Sequence, residues 1–134
     1  VAEGIVVGGG AALAEVHKAL KDQLKDSNPD VQKGIDVVLG SLYEPLRQIA
    51  KNAGFDSEVI ASKQATAEKD NGFDAKNGVW VDMFKAGIVD PTKVTRSAVL
   101  NAVSIAALFV TTEGAVSDIK EEKPAAPAVP PDMY

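Results

Sequence analysis

The chain has 134 residues, 46% of them hydrophobic but only 5% aromatic, so it can bury one modest core built mainly from Ala, Val, Leu and Ile. A net charge of −5 without a basic stripe argues against nucleic acid as a partner, helix-turn-helix DNA binding included, and against anionic membrane surfaces. With no cysteine, disulfides, thiolate metal sites and Cys-His nucleophiles are excluded, no Ser-His-Asp arrangement is read around the single histidine, and the composition fits a reducing, cytoplasmic setting.

No cationic region precedes the first apolar residues, so no signal peptide is read, and the start at Val1 reads as an excised piece of a longer protein. Val1 to Val7 is short and apolar and ends at Gly8-Gly9-Gly10. A helix follows, with Leu13, Val16, Leu20 and Leu24 on one face and lysines on the other. His17 sits beside that face without other ligands at metal spacing, and reads as a surface or boundary residue. Asp26-Ser27-Asn28-Pro29-Asp30 is a stop and restart, with Pro29 at the first position of the next helix. That helix turns Val31, Ile35, Val38, Leu39 and Leu42 inward. Pro45 then breaks it and opens a further stretch with Leu46 and Ile49 buried and Gly54 as the stop. Asp56 or Ser57 caps another helix, which fades by Asp70.

The texture changes at Asn71. Asn77-Gly78 lies between short runs containing Phe73 and Val79-Trp80-Val81, which predicts a small β-hairpin. A helical turn around Met83-Phe84 ends at Gly87. Asp90-Pro91 then reads as the cap and first residue of a long helix reaching Val110. Val94, Ala98, Ala102, Ile105, Ala106 and Phe109 recur at helical spacing, and beyond Ala98 only Asn101 and Ser104 interrupt the apolar run. A helix apolar all round asks for cover on every side, and this one reads as too short and alanine-rich for a membrane span of about 20 apolar residues. The predicted fold is therefore mainly α: a helical bundle around this long buried helix, with a small β-hairpin and a short C-terminal strand over Ala115 to Ile119. Residues 120–134, charged and then rich in Pro and Ala, read as a flexible tail.

Taken alone, the candidate motifs stay open. Gly8-Gly9-Gly10 before a helix would let a ligand approach backbone amides, or it is simply a tight helix–helix turn; neither the Walker A nor the Rossmann spacing is present. Asp90 is a helix cap on local grounds, and Asp74 a turn residue. A non-catalytic helical interaction or oligomerisation module has the same patterning.

Three stretches together go further. VVGGGAAL at Val6 to Leu13, EPLRQIAKNAG at Glu44 to Gly54, and GIVDPTKVTRSAVLNAVSIAAL at Gly87 to Leu108 resemble the group I chaperonins, the sixty-kilodalton GroEL-type family, as does the intervening GFDAKNG. The resemblance covers residues 1–119 and matches the C-terminal half of that family's equatorial domain, which is mostly helical and binds ATP. It implies ATP-binding positions at Gly9, against the nucleotide; at Asp74, Ala75 and Lys76, along the adenine; at Ile88, packed on the base; and at Asp90, bonded to the ribose hydroxyls. Some members carry Asn where Asp74 stands, and Lys76 replaces a small residue, so an adenine contact there falls to the backbone. The tail lacks the family's Gly-Gly-Met repeats.

The resemblance also implies what lies elsewhere. The family's phosphate-binding loop, its magnesium-binding aspartate, the aspartate that positions water, and the apical domain have no counterpart in this sequence. No catalytic residue and no metal ligand is therefore assigned, Mg2+ belonging with ATP in the parent protein. The implied partners are other chaperonin subunits in a heptameric double ring, and a co-chaperonin and unfolded polypeptide reached through the other domains. The isolated chain is expected not to hydrolyse ATP, and to self-associate or carry a loose C-terminal third.

Overall fold

The computed structural model describes residues 3–118, so the expectation of a tail at 120–134 lies outside the described residues. Strand β1 (Ile5–Val7) leads through the glycine run into helix α1 (Ala11–Leu20). Helices α2 (Pro29–Ser41), α3 (Glu44–Asn52) and α4 (Ser57–Thr66) follow. Strands β2 (Asn71–Asp74) and β3 (Val79–Asp82) form the hairpin, and β4 (Val89–Pro91) leads into α5 (Thr92–Thr111).

The local signals act as their chemistry requires. Asn28 caps α2, its side-chain oxygen accepting from Asp30 N at 2.9 Å, with Pro29 as the first helical residue. Asp56 caps α4 by accepting from Glu58 N at 2.9 Å and Val59 N at 3.1 Å. Gly54, at φ +81°, ends the turn after α3. The break between α2 and α3 falls at Leu42 and Tyr43, which places Pro45 in the first turn of α3.

Two apolar clusters hold these elements. Ala14, Tyr43, Leu46, Ala50, Ile60, Ala61 and Phe73 join α1, α3, α4 and the hairpin, with Trp80 packed against them. Val7, Ala11 and Met83 form the second cluster under β1 and α1. Lys18 reaches across to the end of α4, donating to Ala67 O at 2.8 Å and to Gln64 O at 3.3 Å, the latter also accepting from Ala67 N, so one ammonium ties α1 to the last carbonyls of α4. His17 is half-buried, its Nδ1–H donating to Leu39 O at 2.9 Å and its ring edge-on to Tyr43, so it is a boundary residue of the packing. Only Leu39 of α2 is buried; Val31 and Val38, read as inward-facing, are exposed. Leu24 lies beyond the end of α1 and is also exposed.

The main departure is the long helix. α5 forms at full length, but none of its residues is buried. The apolar pattern asks for cover, and the two buried clusters are built by α1, α3, α4, the hairpin, β1 and Met83 without any residue of α5. At 20 residues and mean hydropathy 1.5, α5 is also long and apolar enough to cross a membrane by length and composition, so the reading of it as too short does not stand. Its start shifts too. Pro91 is the N-cap, without a side-chain bond, and Asp90 belongs to β4, so Asp90 does not cap the helix. β4 pairs antiparallel with β1, Val6 opposite Asp90, an interaction that holds the first and last strands together. Beyond α5, Ala115 to Asp118 form no strand, and Ile119 lies outside the described residues. A strand without a partner has no ladder to stabilise it.

Candidate functional site

The glycine run follows a strand, so it is a strand-to-helix turn rather than the helix–helix turn its composition suggested. Gly9 and Gly10 adopt φ of +64° and +78°, where a side chain is strained. A Cβ on Gly10 would stand 2.6 Å from Leu46 N, so this residue lets α1 close onto α3. Gly8 N donates to Ile88 O at 2.9 Å, which ties the turn to the segment entering β4. Gly9 lies between these contacts, with only Met83 Cε and Phe73 O close to where its Cβ would be.

The hairpin approaches from the other side. Asp74 pairs with Val79, leaving a four-residue loop, Ala75 to Gly78, in place of a two-residue Asn-Gly turn. Asp74 governs that loop. Its Oδ1 accepts from Lys76 N at 2.9 Å and Asn77 N at 3.2 Å, and its Oδ2 from Asn77 Nδ2 at 2.6 Å. Capping of two loop amides by one carboxylate favours this wider turn. The Asn77 side-chain bond outweighs desolvation and, with the two backbone amides and the Lys76 charge acting the same way, holds Asp74 below the ordinary carboxylate value. Oδ1 has both lone pairs engaged, whereas Oδ2 has one bond and room for another donor.

Between the turn, the hairpin and α3 lies a cleft of about 430 Å³. Gly9, Asp74, Ala75, Lys76 and Ile88, all singled out from the sequence, line it together with Ile49, Phe73, Asn77 and Ala86. Asp90 is not among the lining residues. It sits two residues beyond Ile88 on β4, exposed. The additional lining residues carried no sequence signal of a site: Ile49 read as core, Phe73 as part of a hairpin strand, Ala86 as a turn position, and Asn77 as the hairpin corner. A larger apolar groove of about 670 Å³ runs between β1, α1 and Phe84, away from these residues. Among the described residues, no three His, Asp or Glu side chains come together as a metal site would require.

The lining can take a flat, partly polar group. Ile88, Ile49 and Phe73 offer apolar walls, Asp74 Oδ2 an acceptor, and Gly9 a floor without a side chain.

A family model described as the TCP-1/cpn60 chaperonin family matches residues 1–120. The chain is 55% identical to the Chaperonin GroEL of Acholeplasma laidlawii over 134 residues, all of this chain and 25% of that protein. It is also 55% identical to the Chaperonin GroEL of Onion yellows phytoplasma over 123 residues, 92% of this chain and 23% of that protein. The chain thus spans about a quarter of the length of the curated relatives it matches. Among solved structures, the open-state monomer of a group II chaperonin from Methanococcoides burtonii superposes with a TM-score of 0.72 over 81% of this chain and 28% of that one. At 23% identity that likeness speaks for the fold.

Proposed function

The chain belongs to the TCP-1/cpn60 chaperonin family, and from that premise we propose that it supplies the adenine-and-ribose side of the ATP pocket in an ATP-dependent folding chaperone of group I type. The observation that carries the reading is the single cleft shared by Gly9, Asp74, Ala75, Lys76 and Ile88. In this reading the adenine lies against Ile88, its amino group donates to Asp74 Oδ2, and the backbone of Ala75 and Lys76 follows its edge. Gly9 admits the nucleotide because no Cβ stands in the way. Asp90, exposed two residues beyond Ile88, accepts from the ribose hydroxyls.

ATP bound here would supply the phosphoryl group whose transfer drives the chaperone cycle. This chain's residues bind and orient the base and sugar, while Mg2+ and the attacking water belong to residues elsewhere in the parent protein. Ring assembly with other subunits, the co-chaperonin and unfolded polypeptide belong to the same proposal, in a cytoplasmic setting. The uncovered side of α5 supports its role as scaffold, since it asks for cover from other parts of the parent protein or its neighbours.

The test is ATP affinity of the full-length parent with Asp90→Ala. Loss of one charge-assisted hydrogen bond predicts about ten- to a hundredfold weaker binding. Unchanged affinity would favour a helical interaction module that does not bind nucleotide.

A further inference from the structure

We infer that Asn77 is a site of spontaneous deamidation, held closed in the folded chain by Asp74. Asn77 precedes Gly78, and a following glycine leaves the backbone nitrogen open to attack the side-chain amide. In that reaction Gly78 N loses its proton and bonds to Asn77 Cγ, and Nδ2 leaves as ammonia. Water then opens the resulting cyclic imide at either carbonyl, giving aspartate or isoaspartate.

The fold restrains both partners. Gly78 N donates to Asp74 O at 2.8 Å, so its proton is engaged and its lone pair is not free to attack. Asn77 Nδ2, the leaving nitrogen, donates to Asp74 Oδ2 at 2.6 Å. Asn77 N and Lys76 N close on Oδ1 of the same carboxylate, which fixes the loop as a unit. Asn77 is itself exposed, so water for the second step is at hand. The restraint is therefore the network at Asp74 and not burial.

Deamidation would also remove the restraint for good. In the aspartate product a second carboxylate stands where Nδ2 donated to Asp74 Oδ2, and two carboxylates at that distance repel. In the isoaspartate product the backbone runs through the former side chain, and either way the Asn77 Nδ2 bond is lost from the loop that lines the cleft. This chemistry does not depend on the nucleotide reading, because it needs only the loop.

Peptide mass mapping of the full chain, incubated at mildly alkaline pH, tests the inference. Conversion at Asn77 should be slow in the folded wild type and about tenfold faster in Asp74→Ala, which loses the side-chain bonds. Wild type held unfolded in urea should convert at least as fast as that variant. Circular dichroism establishes that Asp74→Ala is folded; should it unfold, Asp74→Asn, which keeps a carbonyl acceptor but not both oxygens, takes its place with an intermediate rate. Equal rates in folded wild type and a folded variant overturn the inference, as does an unfolded chain that keeps its amide.

Discussion

Replacing Gly10 by alanine tests the geometry that closes α1 onto α3. The added Cβ would lie 2.6 Å from Leu46 N and 2.8 Å from Leu46 Cα, both backbone atoms of a helix that cannot swing aside. Two costs combine. Holding a non-glycine residue at φ +78° costs about 1–2 kcal/mol. Forcing the contact adds about 1–3 kcal/mol of overpacking strain. The sum, about 2–5 kcal/mol, is a large part of the ~5–15 kcal/mol that keeps a typical domain folded. Gly87 supplies the control. Its φ is +71°, but nothing lies within 4 Å of its Cβ position, so Gly87→Ala bears the backbone cost alone. Urea unfolding followed by circular dichroism should rank wild type above Gly87→Ala, and Gly87→Ala above Gly10→Ala. Equal losses in the two variants would refute the claim that packing against Leu46 requires the glycine.

Further expectations rest on other contacts. Asp56→Ala removes two amide acceptors at the start of α4 and should cost about 1 kcal/mol in the same unfolding assay. Asp74 is held below its ordinary value in the folded state, so its bonds stabilise fully above the unfolded carboxylate range and are lost as pH falls through the lower folded value. Acid titration of stability should therefore show a shallower loss in Asp74→Asn than in wild type; identical acid limbs would mean that the loop contributes nothing. Leu108 and Phe109 are 62% and 75% exposed on α5, so the chain should self-associate, and lysine at both positions should shift sedimentation towards monomer. With ATP and Mg2+, the chain alone should release no phosphate above background, and robust turnover would overturn the assignment of catalysis to other parts of the parent protein.

Much of the fold was legible because its signals are local. Asn28-Pro29, Asp56 and Gly54 fix helix ends through bonds to residues a few positions away, and Asn77-Gly78 announces a hairpin even though Asp74 widens its loop. The pairing of β1 with β4 was not legible. Three-residue strands far apart in sequence have no periodicity to read, and Asp90-Pro91 looked like a helix start because its strand partner was invisible. Burial of α5 was misjudged for a related reason. Periodicity states which faces want cover, and only the whole arrangement states whether cover exists. Five of the six positions implied by family resemblance meet around one cleft while Asp90 does not, and Ile49 looks like any core residue until the turn and hairpin meet around it.

The clasp between the outermost strands has a consequence for the order of assembly. Gly9 and Ile88 face the same cleft only because residues near the start of the chain bond to residues near position 90. During synthesis the helices and hairpin can form as they emerge, yet that cavity has no far wall until the late strand arrives. Contacts of such long range form slowly, because the loop they close must first be brought together. A ribosome-bound chain stalled before Ile88 would thus hold four of its five helices and lack the wall that closes this cleft.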